Sequence, residues 1–357
     1  MRKILIVSAL LFLLSTSNSQ IKFEKGSLTD VIVKAKSENK VLMVDVLTDW
    51  CVWCVELDIR VYSNPKVSEF ANTNQINYKI DAEKGEGVDF KTKYAVTAYP
   101  TILFLDSDGK EIDRIIGYYP AKDFYAMMVD YNKGINTFKV LKATLEKDPN
   151  DIFANLKIAD KYISFDQLDK AREHLNKIIE IDPKNLSGKA DDAKYMLASI
   201  SGKETIISNL ETFINEYPES DLHKDADITL AESYNKVNND ITTADNLYKE
   251  ALNKYPDDEN VKLSYGRYLI GRASGIAKDS NSTADEYRNG LVFIEEALPY
   301  VTNSFSMGSA YYNQSRLYYN LKEYDAALQA VNKALKIFDN KYYRELKEAI
   351  EKQLGTR

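Results

Sequence analysis

Residues 41–64 read VLMVDVLTDWCVWCVELDIRVYSN, and this stretch decides how the first part of the chain folds. Its first seven residues form an apolar run rich in β-branched side chains, interrupted only by Asp45. Such a run reads as a strand covered on both faces. A helical pattern begins at about Cys51, and Ser27–Asn39 upstream has helical spacing as well. Downstream, strands are expected at Ile76–Asp81, Thr101–Leu105 and Glu111–Ile116, with helical spacing at Val88–Tyr94 and from Ala121. The Ser107-Asp108-Gly109 turn joins the last two strands. Strands that alternate with helices and then close in a hairpin predict an α/β domain with a mixed central sheet flanked by helices.

The chemistry lies at the strand-to-helix junction. Cys51 and Cys54 are three residues apart, close enough to close a small disulfide ring. The Cys51 sulfur should face the unpaired N–H groups and positive end of the helix dipole. That setting favours thiolate and lowers a thiol pKa from about 8.5 into a range of roughly 3.5–7.5. Cys51 is therefore expected to be the nucleophile, and Cys54, one turn in and more buried, the group that resolves a mixed disulfide. Resolution needs a proton acceptor. Asp45 is a carboxylate inside an apolar strand, where desolvation raises its pKa and suits it to trade protons near neutral pH. Trp50, Val52 and Trp53 flank the pair as rim packing or as substrate contacts. The redox-active disulfide Cys51–Cys54 requires no metal and no organic cofactor.

Trp50 before the pair, Asp45 six residues ahead of Cys51, and Ala98-Tyr99-Pro100-Thr101 about fifty residues later resemble the thioredoxin family across roughly residues 25–132. The resemblance implies a thioredoxin fold, a cis Pro100 beside the cysteines, and a Tyr99 backbone offered to an extended substrate. Three positions depart from the family pattern. Val52-Trp53 replaces Gly-Pro, Ile59 stands where many members place a helix-kinking proline, and Asn77 falls where a lysine is usual near the buried aspartate. The run ELDIRVYSNPKVSEF at 56–70 is similar to periplasmic domains that accept electrons from membrane thiol:disulfide interchange proteins. The direction of electron flow stays open, since such pairs span potentials from about −270 to about −120 mV. Asp49, Glu56 and Asp58 nearby leave the thiolate without cationic help, which leans towards a reductant.

After Gly134 the strand patterns stop. Pro149, Pro183, Pro218, Pro256 and Pro299 are separated by 34, 35, 38 and 43 residues, a degenerating period. A 34-residue helix–turn–helix period is that of tetratricopeptide (TPR) repeats. Ile158, Ala159, Tyr162, Ala171 and Leu175 fit the repeat alphabet within 152–185, as do Leu230, Ala231, Tyr234, Ala244, Tyr248 and Ala251 within 224–256. Tyr311, Ser315, Tyr318, Tyr324, Ala327 and Ala334 do so within 308–342. Alanines let two helices approach and large side chains fill the space opposite; one such hairpin cannot bury its apolar face alone, so neighbours must stack into an all-α solenoid. Four to five repeats and a capping helix at 341–353 are expected. Ile206, Leu210 and Phe213 sit where small residues belong, and Ser274–Thr283 reads as an insertion. The 25 tyrosines then serve mainly as packing residues with hydroxyls reaching water, Tyr312 and Tyr319 pointing outward along a concave surface. His174 and His223 lie on polar faces and are not expected to bind metal.

Composition bounds the rest. With two cysteines and two histidines no four-ligand Cys/His zinc centre can form without carboxylates. The net charge of −7 argues against a nucleic-acid partner, which demands Lys and Arg to neutralise phosphates. Arg2 and Lys3, the apolar run Ile4–Leu14 and Ser15–Ser19 read as a signal peptide over residues 1–19. The apolar run is about eleven residues, whereas a membrane span takes about twenty, so no stable membrane insertion is expected. The expected organisation is a signal peptide at 1–19, a thioredoxin-like domain at 20–135 and a TPR-like domain at 136–357. Together these predict an exported, periplasmic thiol-disulfide oxidoreductase serving cell redox homeostasis. Its partners would be proteins or peptides carrying disulfides or thiols, a protein docked on the solenoid, and a membrane thiol reductase as candidate electron donor. The alternative is a non-catalytic interaction protein with a thioredoxin-like recognition domain and a structural cystine.

Overall fold

The computed structural model describes residues 20–355; the expected signal peptide lies outside the described residues. The chain divides into two compact units between Lys133 and Gly134.

The first unit is built on a sheet of β1 (Val41–Leu47), β2 (Gln75–Asp81), β3 (Thr101–Leu105) and β4 (Glu111–Ile116) in the order β2-β1-β3-β4. β1 runs parallel to β2 and antiparallel to β3, and β3–β4 is an antiparallel hairpin. Leu42 to Val46 are all buried, the doubly covered strand that the apolar run predicts. Successive side chains of a strand point to opposite faces. Leu42, Val44 and Val46 pack with Val31 and Ala35 of α1 (Leu28–Glu38) and Phe90 of α4 (Gly87–Lys93). Met43 packs on the other face with Leu57, Tyr62, Phe104 and Phe124. Asp45 shares that second face. The parallel β1–β2 pair needs a crossover, supplied by α2 (Val52–Glu56), a π-helical turn (Leu57–Val61) and α3 (Pro65–Asn74). A final helix, α5 (Ala121–Asn132), contributes Phe124 and Met128 to the second face. The π turn holds Ile59, where no proline is present to bend the helix. The Tyr62 N–H donates to the Leu57 carbonyl at 2.8 Å, and this wider turn redirects the chain instead.

Gly87 opens α4 after the five-residue turn that follows β2. A β-carbon there would stand 1.9 Å from the Asp81 carbonyl oxygen and 2.7 Å from its carbon, both backbone atoms that cannot rotate away. Gly87→Ala is expected to destabilise the unit by about 2 kcal/mol. Amide-exchange protection across β1 and β2 should fall about thirtyfold, and unchanged protection would refute the crowding argument.

The second unit is helical throughout its described residues. Five hairpins follow one another: α7 (Ile152–Ser164) with α8 (Leu168–Ile181), α9 (Ala190–Ser199) with α10 (Ile206–Glu216), α11 (His223–Lys236) with α12 (Ile241–Lys254), α13 (Glu259–Lys278) with α14 (Ala284–Ala297), and α15 (Ser304–Asn320) with α16 (Tyr324–Ile337). α6 (Phe138–Lys147) precedes them and α17 (Lys341–Leu354) follows. Ala159, Ala171, Ala231, Ala244 and Ala327 are wholly buried, as close helix approach requires. Where α10 carries Leu210 and Phe213, the small partners come from adjacent helices, as Ala198 and Ala226. Two expectations need correction and a third gains detail. The insertion Ser274–Thr283 begins inside α13, which runs on to Lys278, so only its second half is loop. Tyr312 does not point outward: it stacks on Tyr343 of α17 at 4.8 Å, while Tyr319 meets Tyr324 edge-on at 5.6 Å. His174 does not sit on a polar face, because its ring stacks on Tyr162 and its Nδ1 lies 2.8 Å from the Asn155 Oδ1.

Candidate active site

Cys51 is the N-cap of α2. Its Sγ accepts a hydrogen bond from the Cys54 N–H at 3.1 Å, so the helix amide points at the position where a thiolate charge would reside. Cys51 and Cys54 are joined as a disulfide with Cα atoms 5.3 Å apart. Both are 4% exposed; Cys54 is not the more buried of the two in this oxidised form. Aromatic rings flank the pair. Trp50, 62% exposed, lies edge-on to Tyr99 at 5.8 Å and donates its indole N–H to Glu83 at 3.1 Å. Trp53 packs on Tyr118 at 5.4 Å, and Val52 is half-buried. The Tyr99–Pro100 peptide is cis, and the Pro100 carbonyl accepts from the Gly117 N–H at 2.8 Å.

Asp45 is completely buried, and neither of its carboxylate oxygens has a hydrogen-bond partner. Lys79 is its register neighbour on β2, with Nζ 3.7 Å from Oδ2, and Ile102 is its neighbour on β3. Burial pushes the Asp45 carboxyl up to about 6, opposed by the Lys79 charge and reinforced by Asp58. The Lys79 ammonium also pairs with Asp58, four residues past Cys54. The buried carboxylate is thus linked through Lys79 to the helical turn that follows Cys54.

Cations accompany the acidic residues around the site. Asn77 departs from the family's lysine, and a lysine two residues on stands beside the buried aspartate: the two positions share a strand face, and the register sets Lys79 against Asp45 while Asn77 faces Met43 and donates to backbone carbonyls of Lys22 and Ala71. The nearby acids are paired as well. Asp49 pairs with Lys84, Glu56 with Arg60 at 2.9 Å, and Asp58 with Lys79. Lys79 lies against Asp45 and Asp58, Tyr62 against Asp45, and Tyr118 against Trp53; sequence reasoning had placed none of these three in the site. Outside it, Asp191, Asp192 and Asp221 bring carboxylate oxygens within 4.8 Å of one another, with the Lys189 ammonium 2.8 Å from Asp192.

Residues 28–132 match the family described as thioredoxin-like domain. The first unit belongs to that family. Three tetratricopeptide repeats match at residues 154–185, 225–258 and 308–341, leaving the atypical stretches 186–218 and 259–299 outside the matches. The thioredoxin-like domain is also similar to thiol:disulfide interchange protein DsbD of Yersinia pestis, with 37% identity over 95 residues, 26% of this chain and 16% of that protein. DsbD of Haemophilus influenzae is 31% identical over 113 residues, 30% of this chain and 20% of its own. The chain therefore spans less than a quarter of the length of these relatives. Among solved structures, a disulphide-isomerase candidate from Bacteroides thetaiotaomicron is 35% identical, covering 32% of this chain and 93% of that one at a TM-score of 0.30. No helix among the described residues is long and apolar enough to cross a membrane.

Proposed function

We propose that this protein is an exported thiol-disulfide oxidoreductase that acts on protein disulfides through Cys51 and Cys54 and holds a protein partner on its TPR helices. The observation that carries the reading is a cystine at a helix N-terminus, its first sulfur hydrogen-bonded by the Cys54 amide, with a wholly buried carboxylate linked through Lys79 to the helical turn that follows Cys54. A structural cystine has no use for such a carboxylate.

In the reduced protein the Cys51 thiolate attacks one sulfur of a substrate cystine, forming a mixed disulfide and expelling a substrate thiolate. Asp45 takes the Cys54 proton, and the Cys54 thiolate then attacks Cys51 Sγ. The second substrate thiolate leaves, the protein holds the Cys51–Cys54 disulfide, and two electrons have passed to the substrate. Both steps reverse if the protein oxidises its client. Trp50, Val52, Trp53, Tyr99 and Pro100 would contact the substrate chain, and no cofactor beyond the disulfide is required. The likeness to DsbD domains supports a periplasmic setting and a membrane thiol reductase as electron donor.

In a Cys54→Ser variant the mixed disulfide has no resolving thiol. Expression in cells should trap protein adducts that disappear on reduction and depend on Cys51. Recovering none, where a control thioredoxin variant yields adducts, would overturn the proposal.

A further inference from the structure

The segment Gln20–Gly26 ahead of α1 is fastened along the outer edge of β2 and the end of the π turn. The Ile21 N–H donates to the Tyr62 carbonyl at 3.0 Å and the Glu24 N–H to the Asn77 carbonyl at 2.8 Å. Asn72 brackets Lys22, accepting from its N–H at 2.8 Å and donating to the Gln20 carbonyl at 3.0 Å. Ile21 is buried in the second-face core, and the Gln20 side-chain amide donates to the Asp58 carbonyl at 3.3 Å. These bonds bring Phe23 against the site. Its ring lies 5.4 Å from that of Tyr62, and the Lys79 ammonium stands over it at 4.8 Å. The same ammonium is 5.5 Å from the Tyr62 ring, so it sits between two carboxylates and two aromatic faces.

We propose that Phe23 is a positioning residue for proton exchange at Asp45, its ring face holding the Lys79 ammonium between Asp45 and the wetter Asp58. This rests on the oxidoreductase reading for its purpose, though not for its geometry. An ammonium at hydrogen-bond range of a half-exposed carboxylate and 3.7 Å from a buried one is drawn to the exposed partner, where water also solvates it. The ring face supplies the opposing attraction. The groups facing Asp45 are Lys79 from β2, Asp58 and Tyr62 from the segment after Cys54, and apolar Ile102 from β3. Within the strap, Glu24 is occupied by Lys34 at 2.7 Å.

The test is the Asp45 carboxyl titration, followed by carbon NMR in the full oxidised chain. Phe23→Leu keeps the apolar cover and removes the ring face; Lys79 should drift towards Asp58, and the proton affinity of Asp45 should rise about threefold, the worth of a partly exposed cation–π contact. Phe23→Tyr should titrate as the wild type. In a Lys79→Met background Phe23→Leu should change nothing further. A wild-type titration in Phe23→Leu, or an equal shift in the Lys79→Met background, overturns the proposal. Because the oxidised protein is titrated without turnover, a wild type that fails to reduce insulin would sink the oxidoreductase reading while leaving the claim about Phe23 to be judged by the same curves.

Discussion

Cys51→Ser protein should reduce insulin disulfides at the uncatalysed rate, while the wild type, kept reduced by dithiothreitol, precipitates the insulin B chain. A serine hydroxyl is not ionised at neutral pH and cannot begin exchange, so the loss is complete rather than graded. Unfolding would not account for it. The cystine closes a loop with a sequence separation of only three, worth about 2 kcal/mol on the chain-entropy account, and the sheet around it is fully packed on both faces. The variant should therefore keep wild-type circular dichroism. If the wild type itself leaves insulin intact, and Cys51→Ser still binds the same partners, the pair is a structural cystine and the chain an interaction protein.

Asp45→Asn should slow exchange and strengthen the fold together. On the proposed mechanism, in which Asp45 takes the Cys54 proton, its loss should cost about a hundredfold in the resolving step at neutral pH, and an inflection near 6 in the wild-type pH–rate profile should vanish. The sign of the stability effect follows from burial. The folded carboxyl titrates at about 6, above its ordinary range, so between about pH 4 and 6 the folded state binds more protons than the unfolded one. Wild-type stability falls as pH rises through that window, and above it Asp45 costs about 3 kcal/mol. Asparagine carries no charge to desolvate. Pulse proteolysis in urea should find the variant more resistant than wild type at pH 8, with most of the difference gone at pH 4. Equal resistance at both values would show that Asp45 is ionised at little cost and is unsuited to the role.

The parts legible in the sequence are those whose signal lies within one element. β1, β3 and β4 follow from apolar runs and a Ser-Asp-Gly turn, and Asp45, Cys51 and Cys54 fall within ten residues of each other. The partners of Asp45 are set by tertiary geometry instead. Lys79 reaches it through a strand register that alternation alone leaves free to slip by two residues, so the sequence does not show which β2 residue stands against Asp45. The π turn is invisible to helical spacing, because one extra residue per turn over so short a stretch leaves the pattern of Leu57, Val61 and Tyr62 apolar either way. In the repeats, apolar periodicity marked which helices pair; the orientation of Tyr312 depended on where α17 lands, which no local pattern encodes.

The chain has only two tryptophans, and both, Trp50 and Trp53, flank the disulfide. Indole emission from the unlabelled protein therefore originates entirely beside the cysteines, where oxidation to cystine can quench it. Far-ultraviolet ellipticity comes mostly from the helices after Gly134, which hold no indole. A single untagged sample thus offers separate optical channels for the two units, so the state of the cysteines can be followed while a partner is titrated onto the repeats.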